Sequence, residues 1–330
     1  MTDDDLGRLM RRLDTATTPI DAPIPLEAER RLREIVGRPA APRRRRSLAW
    51  TSAAAAVVLV LTIVTGVFWM PAPAASALTP KPLTYAAVSD DPSRVIAEAQ
   101  RLLAESTTPL MPERRSLSLG WYFSGSPDDA DATVFRREWV DVKWNENLSG
   151  SVVTTAAEAT NADGDTVPAD DPTPGTVVGD LQFVQNQFSP VVRTPPAPTA
   201  DAMRAIALAT TGAGDQLTAG DVMLAVRSLQ SEWTLTGAQQ SALLDVVATA
   251  PGLRVLGETH DRLGRPVIGL GGIPSAPVNS DISLLLSTET GRIVAYESAL
   301  VEDSSTLNLP AGSITDYILW DVRDREDAPR

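Results

Sequence analysis

The chain contains no cysteine and a single histidine, and these two gaps exclude several kinds of site. Without cysteine there is neither a disulfide framework nor a thiolate metal site, so an exported part must be held together by packing alone. His260, in GETHDRLGR, has no second histidine with which to share a zinc ion. As a general base it would need an orienting carboxylate, and the adjacent Asp261 points to the opposite face of a strand. We therefore predict a structural or solvent-exposed role for His260, and no metal or cofactor.

The sequence also lacks the motifs of the common catalytic sites. It has no nucleophile elbow and no dinucleotide fingerprint. The glycines of the GLGG run are Gly269, Gly271 and Gly272. The run is not followed by the lysine and the helix that a phosphate loop requires, so we predict that it marks a strand end or a bulge. Four aspartates close in sequence could attract calcium: Asp163, Asp165, Asp170 and Asp171. Their spacing is not that of an EF-hand, so we predict a solvated acidic loop. We therefore expect a protein that is not an enzyme.

Charge is divided unevenly along the chain. Residues 1–50 hold 11 arginines and eight acidic residues, a net charge of +3. Residues 51–330 hold the remaining 18 basic and 34 acidic residues, a net charge of -16. Because contacts to phosphate need a basic surface, the acidic part is not expected to bind nucleic acid.

One segment, 47–70, has no formal charge and predicts a transmembrane helix. At ~1.5 Å per residue its 24 residues would extend roughly 36 Å, more than the ~30 Å of a hydrocarbon core. Trp50 and Trp69 are placed to lie at the two interfaces with water. Four basic residues precede the segment, namely Arg43, Arg44, Arg45 and Arg46. These arginines orient the span with the N-terminus in the cytoplasm, and they can also contact anionic lipid.

The alternative to an uncleaved anchor is a cleaved signal peptide, because AASA at 74–77 has the small residues of a cleavage site. The 46 preceding residues are too many for an ordinary signal peptide, and the apolar segment is too long. We therefore predict a cell-membrane protein with a single span, a cytoplasmic N-terminus and an extracytoplasmic C-terminal domain.

In the cytoplasmic arm, residues 1–46, the apolar pattern predicts two short amphipathic helices on either side of a proline-rich connector. Their apolar positions recur at helical spacing and include Leu6, Leu9, Leu13, Leu32 and Ile35. Two helices of this length cannot bury a useful core, so these side chains predict a surface for a partner. The partner could be another protein, a second copy or the inner leaflet; alternatively, the helices are weakly ordered and have no dedicated ligand.

The part after the span predicts a tether at 71–89 and an α+β domain at 90–330. A first helix in DPSRVIAEAQRLLAES is followed by strands in RSLSLGWYFS, TVFRREWVDVKW and SGSVVTTAAEA. A flexible acidic and proline-rich loop is predicted at about 160–200. Three helices follow, two of them with capping-box spacing at Thr218 and Thr236, and strands continue to the end, with Gly291 in a hairpin turn. This order predicts an antiparallel sheet packed with helices.

The layout resembles a group of actinobacterial single-pass membrane proteins encoded beside extracytoplasmic-function sigma factors. The resemblance is carried by LGRLMRRLD and PLEAERRLREI before the arginine-rich span, and by HDRLGRPVIGLGG, SDISLLLSTETGRIVAYESALVE and PAGSITDYILW near the end. It implies a membrane-bound regulator similar to an anti-sigma factor. It also implies an outer domain like the half-barrel of lipoprotein carriers, a curved antiparallel sheet over helices. The arm departs from zinc-type anti-sigma factors, because it has neither their histidine nor their cysteines.

Two functions are compatible with these observations. The first is an envelope sensor whose arm contacts a cytoplasmic sigma factor or another regulator. The second is a tethered carrier domain with no signalling role, in which the concave sheet face binds an exported lipid or peptide. In that second case the candidate contact residues are Trp121, Trp139 and Trp144, although tryptophans in such strands are more often part of the core.

Overall fold

The computed structural model describes seven stretches of the chain: residues 79–89, 91–106, 109–123, 134–168, 172–213, 216–275 and 279–322. The predicted arm and span lie outside them. No helix within these stretches is both long enough and apolar enough to cross a bilayer.

Within the described residues, nine strands form one sheet: β1 (Arg115–Tyr122), β2 (Glu138–Trp144), β3 (Gly150–Ala156), β6 (Val177–Phe183), β7 (Arg254–His260), β8 (Pro266–Gly272), β9 (Asp281–Ser287), β10 (Ile293–Ala299) and β11 (Ile314–Leu319). Their order is β6-β3-β2-β1-β11-β10-β9-β8-β7, and every neighbouring pair is antiparallel. Two short strands, β4 (Ala159–Thr160) and β5 (Thr166–Val167), form a separate hairpin. The predicted α+β class with a large antiparallel sheet is confirmed.

In the part of the chain that the structure describes, four helices pack on one side of this sheet: α1 (Pro92–Glu105), α2 (Ala200–Thr211), α3 (Ala219–Gln230) and α4 (Gly237–Thr249). Both predicted capping boxes are present. Thr218 accepts from the backbone N–H of Asp221 at the start of α3, and Thr236 accepts from that of Gln239 at the start of α4. These side chains satisfy backbone donors that the first turn of a helix leaves open, which fixes where each helix begins.

The sheet is covered on both faces, which we call the helix face and the second face. Between the helices and the helix face lies the larger core, in which the side chains of Met203, Met223 and Leu244 are fully buried. The second face carries a smaller cluster of buried apolar residues, among them Leu119, Trp121, Phe135, Trp139, Val267, Leu285, Val294, Tyr317 and Leu319. Since both faces carry apolar side chains, the strands do not show simple alternation of apolar and polar residues.

The loop between α3 and α4 also anchors a long irregular segment, 184–199. The Glu232 carboxylate accepts from the backbone N–H of Val191 at 2.7 Å, and the Trp144 indole donates to the Glu232 carbonyl at 3.0 Å. Burial raises the pKa of Glu232 to about 7.

Gly291 lies in the β9–β10 turn at φ +70°, as the hairpin prediction requires. A Cβ at this position would overlap the carbonyl oxygen of Ala99 in α1. The turn therefore sets how closely α1 approaches the sheet.

The prediction of one loop from about 160 to 200 was wrong at β6, which pairs along β3 at the edge of the sheet. Leu181 and Phe183 of this strand pack against the larger core, while Val177 is 56% exposed. An edge strand with one covered face needs few apolar residues, so the surrounding Asp, Pro, Thr and Gly concealed it. The acidic hairpin turn is exposed as predicted at Asp163 and Asp165; Asp170 and Asp171 lie outside the described residues.

Candidate functional site

Part of the segment that follows the predicted span is packed on the domain: residues 79–86 lie on the second face of the sheet. We call these residues the docked segment. Ala86 and Glu258 of β7 exchange both backbone hydrogen bonds, at 2.8 and 2.9 Å. Lys81 donates its backbone N–H to the carbonyl of Ala162 at 2.9 Å, and Thr79 is 5% exposed. A tether was predicted over 71–89; of that range, 71–78 lies outside the described residues and 79–86 is part of the fold.

Two glycines make room for the docked segment. A Cβ on Gly257 would overlap the carbonyl oxygen of Ala86, and a Cβ on Gly269 would lie 2.5 Å from a ring carbon of Tyr85. Any larger side chain at these positions would push the segment away from β7 and β8.

The glycines predicted to mark a strand end or bulge fit that prediction in part. Gly272 is the last residue of β8, and the register shift of this strand pair falls opposite, between Val255 and Gly257. Gly269 and Gly271 lie inside the strand, where they admit the side chains of Tyr85 and Leu256. A Cβ on Gly272 would in turn lie 2.7 Å from the backbone nitrogen of Gly220 in α3, so close approach of a neighbour applies to all three glycines.

A buried ion pair lies beside the docked segment. Arg262, in the β7–β8 turn, donates from Nε to Oε1 of Glu297 in β10 at 2.7 Å and from Nη2 to Oε2 at 3.2 Å. The two side chains are 10% and 4% exposed. Arg262 also donates to the carbonyl of Lys81 at 3.1 Å, and its guanidinium lies 4.6 Å from the ring centre of Tyr317 in β11. One side chain thus joins the docked segment to three parts of the sheet.

A second ion pair shapes the same turn. Asp261 accepts from the backbone N–H groups of Leu263 and Arg265, and from the Arg265 side chain at 2.6 Å. The Arg265 guanidinium donates further to the carbonyls of Val294 and Trp320, at 3.0 and 2.7 Å. The turn is therefore held against β10 and the end of β11.

Burial dominates the electrostatics of this region. It raises the pKa of the Glu297 carboxyl, and Arg262 opposes that rise. Burial also raises the pKa of Tyr85, with a further contribution from the negative charge of Glu297. Because a buried carboxylate without a partner is costly, Arg262 is the residue that allows Glu297 to be charged here.

A cavity of about 300 Å³ opens beside the docked segment and is lined by residues that include Lys81, Leu83, Arg137, His260, Asp261 and Tyr317. Its cations are engaged: Lys81 pairs with Asp163, and Arg137 donates to the carbonyl of Glu158 at 2.9 Å. His260 is exposed, and the carboxylate of Asp261 is taken up by its own turn, so the two do not form a catalytic pair. In the described part of the chain, no three His, Cys, Asp or Glu residues are grouped to hold a metal ion.

The tryptophans proposed as ligand contacts are core residues. Trp121 and Trp139 belong to the cluster on the second face, where Trp121 stacks on Tyr317 with centroids 6.1 Å apart. Trp144 packs edge to face with Trp233 at 4.9 Å on the helix face. Since all three are at most 9% exposed, they are already covered by the protein's own side chains.

The predicted partner and membrane contacts all lie outside the described residues: Leu6, Leu9, Leu13, Leu32, Ile35, Arg43, Arg44, Arg45, Arg46, Trp50 and Trp69. They stay predictions. Sequence reasoning missed the docked segment and the residues that hold it, above all Tyr85, Arg262 and Glu297. The available signal was Glu297 itself, a charge inside the otherwise uncharged strand IVAYESA.

Comparison with known proteins gives no family assignment. No protein-family model matches the sequence, and no curated protein is significantly similar. Among solved structures, the chain is similar to the MucA/MucB complex of Pseudomonas aeruginosa, at 11% identity and a TM-score of 0.27 over 70% of this chain and 56% of that one. A second structure, MucB in complex with MucA(peri), matches at 9% identity and a TM-score of 0.26, over 70% of this chain and 54% of that one.

The chain thus spans about half the length of the MucB-complex chains that it matches. A domain assigned to an outer membrane lipoprotein-sorting protein of Vibrio parahaemolyticus matches at 9% identity and a TM-score of 0.21, over 70% of this chain and 92% of that one. TM-scores this low do not establish a common fold.

Proposed function

We propose that this chain is a non-enzymatic bacterial membrane regulator that senses the state of the envelope. Residues 1–46 form its cytoplasmic output arm, 47–70 its single span and 90–330 its extracytoplasmic sensor domain. The arm contacts a sigma factor or another transcriptional regulator through its apolar helix positions. The arginines before the span and the two flanking tryptophans hold it in the bilayer.

The observation that carries this proposal is the docked segment. Only residues 71–78 separate it from the predicted span, and a chain extends by at most about 3.5 Å per residue, so the link is no longer than roughly 30 Å. The link ends on backbone hydrogen bonds to β7 and on Arg262, not on a loose loop. A change in the second face of the sheet can therefore displace the residues next to the membrane, as a sensor requires. A carrier on a tether needs no such connection.

The packing of the domain also favours a sensor over a lipid carrier. Binding sites for drug-sized molecules are mostly apolar and ~300–1,000 Å³ in volume. The space between the helices and the sheet is filled by side chains such as Trp233, Met203 and Leu244, each at most 1% exposed. The 300 Å³ cavity on the second face is lined largely by charged and polar residues. A lipid would have to displace this packing.

We further propose that the sheet curves as a half-barrel. Register shifts in four strand pairs support this: β10 with β11, β10 with β9, β3 with β6 and β7 with β8. Such irregularities bend strands and increase their twist.

The test combines a substitution in the docked segment with substitutions in the arm, in the full chain expressed in its native host. Tyr85→Ala should loosen the docked segment, and Leu9→Asp with Leu32→Asp should disable the arm. A sensor predicts that Tyr85→Ala alone changes transcription of a defined gene set, and that adding the arm lesion abolishes the change. RNA sequencing of the four strains measures this directly.

A matched control separates signalling from loss of stability. Leu229→Ala removes a fully buried side chain from the helix face, and such changes cost about 2–5 kcal/mol without touching the docked segment. It should leave transcription unaltered at equal protein level. A transcriptional change in the outer variant that persists without a working arm would contradict the regulatory function, as would the same change in the Leu229 control.

A further inference from the structure

The two edges of the large sheet differ in how they are covered. At the β7 edge, Ala86 of the docked segment exchanges both backbone hydrogen bonds with Glu258. At the other edge, the outer side of β6 pairs with no strand or bridge among the described residues. Every second residue of an antiparallel edge strand directs its N–H and C=O away from the sheet, so β6 presents a row of open backbone donors and acceptors.

The sequence of β6 has few of the features that keep an edge strand from pairing. Edge strands are usually protected by shortness, by lysine or proline, or by a bulge. β6 has seven residues, with no lysine, arginine or proline, and its one charged residue is Asp180. Its register with β3 shifts only between Val177 and Gly179, so residues 179–183 are regular. These five positions therefore form an open edge on which another strand can pair.

The side chains of this open edge divide between the two faces of the sheet. Leu181 and Phe183 pack against the larger core on the helix face. By alternation Asp180 and Gln182 point to the second face, and both are exposed. The Gln182 amide donates to the Asp180 carboxylate at 2.5 Å. The second face of β6 therefore carries one acceptor and one donor, two positions apart.

This order of side chains is complementary to itself. A twofold axis perpendicular to the sheet would place two copies of β6 antiparallel, with residues of the same face opposite each other. With the axis at Leu181, each Asp180 lies opposite Gln182 of the second copy, so an amide faces each carboxylate. Each Gly179 lies opposite Phe183 of the second copy, and an aromatic ring across from an edge glycine stabilises sheets.

The charge of Asp180 selects this register over its neighbour. An axis at Asp180 would place two carboxylates directly opposite each other, which is destabilising. With the axis at Leu181 the two carboxylates are diagonal neighbours, ~7–8 Å apart between Cα atoms, where physiological salt partly screens their repulsion. The edge therefore favours one way of pairing with a second copy.

The same axis suits a chain with a single membrane span. A twofold axis perpendicular to the sheet leaves the second faces of both copies on the same side. Both docked segments lie on that face, so the two links to the predicted spans would leave the dimer on one side. Pairing through β6 is therefore compatible with two parallel spans in one bilayer.

We propose that two copies of this chain pair through residues 179–183 of β6, antiparallel about an axis at Leu181, and join their sheets into one. The pairing would form about four to six backbone hydrogen bonds. A contact of two strand edges is smaller than the ~1,000 Å² of a stable interface, so we expect a Kd of roughly 10–100 µM in micelles. Confinement to one bilayer raises the effective concentration. The pairing does not rest on the sensor function, because it is a property of the chain alone.

The register is tested by disulfide cross-linking of the full chain in native membranes, where an introduced cysteine has no native one to compete with. Copies carrying Asp180→Cys and copies carrying Gln182→Cys, with different tags, are expressed together and oxidised with copper phenanthroline. The mixed cross-link should form at least about fivefold faster than either cross-link between identical copies, because opposite positions are closer than diagonal ones. Ser305→Cys, exposed and outside β6, is the control and should not cross-link.

A charge exchange tests the same pairs at equilibrium, by sedimentation of the full chain in micelles at low salt. Gln182→Asp places a carboxylate opposite each Asp180 and should weaken the dimer roughly three- to tenfold. Adding Asp180→Lys to Gln182→Asp restores opposite charges and should return the affinity to within about threefold of the parent. Ser305→Asp adds the same charge away from β6 and should leave the affinity unchanged.

Several results would overturn the proposal. Absence of cross-links at parent protein levels would mean that β6 stays unpaired, and equal rates for mixed and identical pairs would indicate random collision. A predominant cross-link between two Asp180→Cys copies would indicate the other register. A double variant as weak as Gln182→Asp alone would exclude the pairing of Asp180 with Gln182. A dimer without any transcriptional response would contradict only the sensor function.

Discussion

Replacing Arg262 by methionine should destabilise the α+β domain more than removal of any exposed ion pair. The change leaves Glu297, whose side chain is 4% exposed, without its two hydrogen bonds of 2.7 and 3.2 Å. Removing one partner of a buried pair typically costs about 3–5 kcal/mol, whereas exposed pairs contribute ~0–1 kcal/mol. For a domain of this size each 1 kcal/mol lowers Tm by about 2–4 °C, so the expected drop is roughly 6–20 °C.

The matched control is Arg101→Met in α1, which removes the ion pairs to Glu98 and Glu105. All three of those side chains are more than half exposed. It should lower Tm by only about 0–4 °C. The double variant Arg262→Met with Glu297→Gln should recover much of the loss, because a neutral amide replaces the orphaned carboxylate.

The effect of Arg262→Met should also depend on pH in a defined direction. Burial raises the pKa of Glu297 in the folded protein, and loss of Arg262 removes the group that opposes the rise. The folded state then binds more protons than the unfolded state above the ordinary carboxyl pKa, so stability falls as pH increases. The difference from the parent should therefore be larger at pH 8 than at pH 5.

The assay is thermal and urea unfolding of the full chain in micelles, followed by near-ultraviolet circular dichroism at both pH values. A cost of less than about 1 kcal/mol for Arg262→Met, the level of an exposed pair, would show that Glu297 does not depend on Arg262. An equal cost at both pH values, or a double variant no more stable than the single one, would show the same.

Three further results are expected. Glu232, with its pKa raised to about 7, contributes to a loss of stability of the parent as pH rises from 5 to 7. Glu232→Gln should make that slope shallower in urea titrations, and an unchanged slope would exclude Glu232 as a contributor. Gly291→Ala should lower the free energy of unfolding by clearly more than the ~1–2 kcal/mol of left-handed strain, because its Cβ would overlap α1. Gly264→Ala, at φ +78° with open space around it, should cost only the strain. Equal losses of stability in thermal unfolding would disprove the contact with α1. Because the chain has no cysteine, a maleimide can react with this protein only at a cysteine that is introduced. In intact cells a membrane-impermeant maleimide should label Ser305→Cys but not Thr17→Cys, and the opposite pattern would reverse the proposed topology.

The helices of the α+β domain could be predicted because their signals are local. Thr218 and Thr236 are followed at the correct spacing by their capping partners, and Leu243 with Val247 marks a buried stripe of α4. Each signal lies within a few residues in sequence and therefore does not depend on the rest of the fold.

The docked segment could not be predicted, because its contacts join distant parts of the chain. Arg262 contacts Lys81 across 181 residues and Glu297 across 35. The glycines that admit the segment were visible in the sequence, but a glycine in a strand does not indicate which neighbour needs the room. The edge strand β6 was missed for a different reason, since its exposed face carries the same residue types as a loop.

The sheet order has a consequence for how the domain is made. Its central pair joins β1 to β11, which end and begin 192 residues apart, at Tyr122 and Ile314. At synthesis rates of ~5–20 residues per second, β1 waits roughly 10–40 s for its partner strand. Until then β1, β2 and β3 form at most half a sheet, with an open edge that invites pairing with other chains. The docked segment likewise waits for β7. A chain interrupted in synthesis before β7 would therefore carry residues 79–86 without the strand to which Ala86 bonds.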